Sequence, residues 1–206
     1  MSTERTGLRE RKKRETRIAL SWAAIRLSVE HGFDNVLVGD IAGEVGVSAR
    51  TFNNYFASKG EAIAARHYER GRMIADALRD RPASEPLWEG LTSAALNDFG
   101  LGVEVDERRP PDEQWIAGLR LMISEPAVQG EFFKANAAVE EELAAAVAER
   151  TGLDVTRDLY PRLVAGAFGV AVRAAMSAAI TTEPPARTIT VLRDALRQFA
   201  AGLPTP

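Results

Sequence analysis

VGDIAGEVGVSARTFNNYFASK, residues 38–59, decides how the rest of the chain is read. Asp40, Ile41, Ala42, Glu44 and Val45 form one and a half turns of amphipathic helix. Gly46 takes positive φ without a steric penalty, which is where a helix stops. Ser48 is an N-cap candidate, because its hydroxyl accepts a backbone N–H of the following turn. Over residues 49–56 a second helix sets Phe52 and Phe56 on one face and Arg50, Thr51, Asn53 and Asn54 on the other. Two short helices, a glycine turn and a donor-rich outer face make the helix-turn-helix pattern. Such a helix fits the major groove, where Arg pairs with guanine and Asn with adenine. Arg50 and Asn54 are therefore the candidate base readers.

Working outward, residues 8–31 read as one long helix ended by Gly32, with residues 1–7 disordered. Residues 9–17, RERKKRETR, hold six cations and two acids. The usual meaning of such a run is a solvated helix start. Next to a helix-turn-helix, Arg11, Lys12 and Lys13 also suit the phosphate backbone. Leu20, Ala23, Ala24 and Leu27 should pack under the short helices, and Trp22, Ile25 and Val29 form a second stripe that needs its own cover. Ser58 and Glu61 have capping-box spacing, so a fourth helix starts there and runs to Asp80. Further helices are expected over residues 87–99, 112–123, 126–151, 158–181 and 186–201, separated by Gly and Pro. The expected fold is all-α with about nine helices. Residues 1–60 form a three-helix DNA-binding module with a basic arm over residues 1–17, and residues 61–206 a larger bundle.

The charge distribution agrees with this division. The whole chain carries net −3, but residues 1–60 hold 10 Lys and Arg against 7 Asp and Glu, net +3, leaving −6 for the remainder. Chance segregation of solvated charge is the plainer alternative. No cysteine is present, which excludes disulfides and thiolate metal sites. The N-terminus is charged with no apolar stretch behind it, and no run of about 18 uncharged apolar residues occurs. A cytoplasmic protein with no membrane partner is expected.

Catalytic chemistry is poorly represented. His31 and His67 are the only histidines and stand far apart. Glu140, Glu141 and Glu142 are consecutive and so point around a helix instead of converging on a metal. GLGVEVD at residues 100–106 lacks the third glycine and the Lys-Ser/Thr of a phosphate loop. Neither an enzyme nor a metal site is expected.

GVSARTFNNYFASK resembles the signature of TetR-family transcriptional repressors, which reads Gly-Val-Ser, two variable residues, Thr-Leu-Tyr, a variable residue, an aromatic or His, Phe, two residues and Lys. Gly46, Val47, Ser48, Thr51, Tyr55, Phe56 and Lys59 match it. Phe52 stands for the Leu and Asn53 for the Tyr. GLRERKK at residues 7–13 and RTFNNYF resemble the mycofactocin-regulator-like, acyl-CoA-responsive branch. The resemblance implies a homodimer on a pseudopalindromic operator of double-stranded DNA. Ser48, Thr51, Tyr55 and Lys59 would touch phosphates, with Asn53 on the same DNA-facing surface and Gly60 removing bulk beside Lys59.

The resemblance further implies a small apolar effector, a long-chain acyl-CoA or fatty acid, and no bound cofactor. Trp88, Leu91, Phe99, Trp115, Leu119, Met122, Phe133 and Phe168 are the candidate lining. Arg120, with Arg108 and Arg109, would meet an anionic head. The ordinary meaning of such an apolar set is core packing, and an exposed Arg120 is the ordinary alternative. Small residues on the last two helices, including Ala165, Gly166, Gly169, Ala171 and Ala174, suit the dimer interface the resemblance implies, with intrachain packing as the alternative. Two other functions stay open: an efflux-pump repressor answering drug-like ligands, and a non-regulatory acyl-ligand carrier or enzyme.

Overall fold

The computed structural model describes residues 2–100, 113–182 and 187–204, with side chains outside residues 2–10, 98–100, 114 and 115. The expected head-group positions Arg108 and Arg109, and Pro184-Pro185, lie outside the described residues. Among those described, the elements are α1 (Ser2–His31), α2 (Val38–Glu44), α3 (Ala49–Asn53), α4 (Lys59–Arg79), α5 (Leu87–Gly100), α6 (Glu113–Ser124), α7 (Pro126–Thr151), α8 (Leu159–Thr181) and α9 (Thr188–Ala200). A single 3-10 turn, Phe33–Asn35, separates α1 from α2. No strand occurs among the described residues, and the fold is all-α.

The helix starts and stops follow local chemistry. Gly32, Gly46 and Gly152 take φ of 84°, 72° and 70° and end α1, α2 and α7. The Ser58 hydroxyl accepts the Glu61 N–H at 3.0 Å, and the Glu61 carboxylate accepts the Ala57 N–H at 2.7 Å, closing the first turn of α4. One expectation fails. Residues 1–7 are not disordered up to Leu8, since α1 begins at Ser2. Glu, Arg and Leu are good helix formers and extend the helix backward past Gly7.

The chain forms two compact units. The first comprises residues 1–66 and 117–133, the second residues 67–116 and 134–206. The first has a core of Leu20, Ala24, Ile41, Phe52, Phe56 and Ile63, each at most 2% exposed. Val128, from the start of α7, is fully buried in that core, and Leu121 and Met122 of α6 pack against it. Of the second stripe of α1, Ile25 packs against this core with Gly118 beside it, while Trp22 stays 42% exposed with the Arg66 guanidinium over its ring. Gly60 has a packing reason as well. A Cβ there would stand 2.7 Å from the Ala127 carbonyl oxygen, so α4 meets the start of α7 backbone to backbone. This contact gives the glycine a structural reason.

In the second unit α8 packs on α9, and α5 packs on α9. Gly71 of α4 lies against Val139 of α7 with no room for a Cβ. Arg150 of α7 donates to the carbonyls of Arg81, Pro82 and Glu85 at 3.1, 2.7 and 2.6 Å, holding the α4–α5 connection. Among the described residues α8 is the one helix long and apolar enough to cross a membrane, but half of its apolar window is buried inside the protein.

Candidate nucleic-acid interface

The turn between α2 and α3 is a Schellman motif: the Val47 N–H bonds to the Ala42 carbonyl at 2.9 Å and the Gly46 N–H to Gly43 at 3.0 Å. At the other end of α2, the Asp40 carboxylate accepts the Leu37 N–H at 2.8 Å. Ser48 caps α3: its hydroxyl accepts the Thr51 N–H at 3.1 Å and lies 2.9 Å from the Thr51 hydroxyl. α3 is held from below by Phe52 and Phe56, whose ring centroids are 5.6 Å apart. Its outer surface therefore exposes Arg50, Asn53 and Asn54, with Thr51 and Tyr55 at its margin. Arg11, Lys12 and Lys13 are also exposed, on the early turns of α1, and Arg11 pairs loosely with Glu15 at 3.5 Å. An exposed pair of that kind contributes little to stability and leaves the arginine available to a phosphate.

Lys59 departs from its expected position. Its ammonium turns inward, donating to the Phe33 carbonyl and, at 3.0 Å, to the Val36 carbonyl, 4.1 Å from the centre of the Phe33 ring. It ties the start of α4 to the 3-10 turn, and two of its three protons are spent there. Lys59 therefore has a structural role here, with one proton left over. Lys59→Ala is expected to cost about 2 kcal/mol of stability, the scale of charged hydrogen bonds, while the salt slope of DNA binding changes by clearly less than about 1. Urea unfolding and a salt titration check this, and a full unit lost from the slope would restore the phosphate contact.

One contact had not been expected. Arg17 Nη1 donates to the Tyr55 carbonyl at 3.3 Å, and its guanidinium lies 4.6 Å from the Phe56 ring centroid. Its signal was present in the spacing. Residues 17, 20, 24 and 27 follow the helical 3-4-3 step, so Arg17 shares the buried stripe of Leu20, Ala24 and Leu27.

The expected effector-lining residues are divided between the two units. Leu91 and Phe168 are buried in the second unit, and Trp88 stacks on Phe199 of α9, centroids 6.2 Å apart and 9° from parallel. Leu119 and Met122 belong to the first unit, where Met122 packs on the helix-turn-helix core. Arg120 is exposed, so burial does not oblige it to find an anionic partner, and Phe133 is 77% exposed. These last two sit on the outward sides of their helices, a distinction apolar content alone does not carry. The side chains of Phe99 and Trp115 lie outside the described residues.

The second unit holds a polar cluster instead. His67 Nε2 faces Asn136 Oδ1 at 3.3 Å, and Asn136 Nδ2 donates to Glu140 Oε1 at 2.7 Å. Glu140 thereby orients the Asn136 amide, and the amide oxygen asks for the tautomer with hydrogen on Nε2. Gly169 of α8 makes room for Glu140, whose carboxylate would lie 2.7 Å from a Cβ. Enclosure of the imidazole lowers the His67 pKa from 6.5 to about 4; the Asn136 hydrogen bond acts against that, and Arg70 and Arg173 add to the lowering. The unfolded chain therefore takes up a proton near pH 6.5 that the native chain refuses until about pH 4. This contribution to stability is complete above pH 6.5 and is lost on acidification, amounting to about 3 kcal/mol at pH 4. Urea midpoints measured between these limits should fall less in His67→Gln than in the wild type; equal slopes would remove His67 as the cause.

A capped recognition helix on a buried two-phenylalanine base, with a polar outward face and a basic first helix, defines a helix-turn-helix DNA-binding protein. Residues 22–65 match the model described as bacterial regulatory proteins, tetR family, and residues 85–204 match the MftR C-terminal domain. The chain is 30% identical over 162 residues to the HTH-type transcriptional regulator TcmR of Streptomyces glaucescens, covering 79% of this chain and 72% of that one. It is 31% identical over 165 residues, 80% of each, to a Mycobacterium tuberculosis protein, MftR, assigned provisionally to the regulation of mycofactocin biosynthesis. Among solved structures it resembles Thermus thermophilus FadR, a TetR-family repressor in complex with lauroyl-CoA, with TM-score 0.55 and 16% identity over 92% of this chain and 96% of that one. The chain belongs to the TetR family of transcriptional regulators, with an MftR-type C-terminal domain.

Proposed function

We propose that this regulator is a cytoplasmic, homodimeric repressor that holds a pseudopalindromic operator and is released by a small apolar effector, a long-chain acyl-CoA or fatty acid. The observation that carries the DNA-binding part is the capped, exposed face of α3. Arg50 and Asn54 read bases there, Asn53 lies beside them, and Ser48, Thr51 and Tyr55 with Arg11, Lys12 and Lys13 engage phosphates. The MftR-type body and the lauroyl-CoA carried by the FadR neighbour support an acyl effector. The effector would stabilise a body conformation in which α4 has shifted, so that two recognition helices no longer match half-sites about 34–36 Å apart. A drug-like efflux substrate remains the alternative effector.

The test uses the duplex that the wild-type protein selects from a randomised pool. Arg50→Ala is expected to cost about 1–3 kcal/mol on that duplex and to relax specificity at one position. Undiminished binding by Arg50→Ala would place the recognition face elsewhere.

A further inference from the structure

α3 has five residues, and a helix that short has no stability of its own in water. Its direction is therefore set by what grips its ends and its underside. The Schellman turn and Ser48 hold its start, and Phe52 and Phe56 hold it from below. At its exit the N–H groups of Asn54, Tyr55 and Phe56 bond back to Arg50, Thr51 and Phe52. The Tyr55 carbonyl accepts from Arg17 of α1, whose guanidinium also covers the Phe56 ring. Arg17 is partly buried, unlike the exposed Arg11, Lys12 and Lys13 of the same basic run.

We infer that Arg17 is a positioning residue for operator recognition: held between the Tyr55 carbonyl and the Phe56 ring, it ties the exit of α3 to α1 and sets the angle at which Arg50 and Asn54 meet base edges. This rests on the reading of α3 as the base-reading helix. Geometry separates it from a phosphate contact. A phosphate contact acts on every DNA sequence and releases counterions, so its loss lowers the salt slope by about 1. A positioning residue matters only where base edges must be met. It also needs a planar guanidinium that stacks and donates together, which the point charge of Lys does not reproduce.

The experiment compares full-length wild type, Arg17→Lys, Arg17→Gln and Arg50→Ala. Each is titrated with the selected duplex and with a scrambled duplex of equal length across a salt series, and its thermal unfolding is recorded. Arg17→Lys is expected to lose about tenfold on the selected duplex while keeping scrambled binding within about twofold and the salt slope unchanged. Arg17→Gln should show the same drop in the ratio of selected to scrambled affinity. A merely structural role would lower the unfolding midpoint and leave that ratio intact at temperatures well below it. An unchanged ratio in both Arg17 variants overturns the inference. So does a parallel loss on both duplexes with about one unit gone from the slope, which makes Arg17 a phosphate contact. A silent Arg50→Ala overturns it differently, by removing α3 as the base-reading helix.

Discussion

A Leu163→Glu, Val170→Glu double variant is expected to sediment as a monomer and to lose operator affinity by about 10²–10⁴-fold, the gain that linking two half-site contacts brings. The choice of residues comes from how α8 is buried. Pro161, Val164, Ala165, Phe168, Gly169, Ala171, Val172, Ala175 and Ala179 face the interior of the second unit. Leu159, Leu163 and Val170 are 66%, 58% and 46% exposed and, with Ala174, recur at steps of four, seven and four. An apolar seam of that period on an exposed helix suits a second copy of the chain, where each Glu would meet its equivalent near the two-fold axis. Gly169 and Ala171, which the small-residue pattern nominates equally, lie inside the unit and would report on its packing instead. Sedimentation of the wild type decides first. A wild type monomeric at micromolar concentration, or a double variant that remains dimeric, removes α8 from the interface.

The second large effect is coupling between effector and operator. A long-chain acyl-CoA is expected to weaken operator binding by about 100-fold, which requires its affinities for the two conformations to differ by about 2.7 kcal/mol. Reciprocity demands that saturating operator weaken acyl-CoA binding by the same factor. Calorimetry with a series of acyl-CoA chains of about 12 to 18 carbons, with and without the selected duplex, measures both sides of this cycle. Binding that ignores the operator, or no binding across the series, would remove acyl-CoA as effector and put a drug-like ligand ahead.

Elements whose cause lies within four or five residues were legible in the sequence. Gly46 as the end of α2, Ser48 as the cap of α3 and Ser58-Glu61 at the start of α4 all work through bonds to near neighbours. That the first compact unit also draws in residues 117–133 was not legible, because Val128 is buried in its core some 60 positions from the next core residue in sequence. Lys59 turns to carbonyls 23 and 26 positions back, and Arg17 to one 38 positions ahead. The apolar list was readable as a list. Its sorting into the Trp88–Phe199 stack, the Met122 packing and the exposed Phe133 was not. A residue's type and its helical phase restrict which side of its own helix it occupies. Which other helix covers that side depends on chain paths between distant segments, and only the tertiary structure decides that.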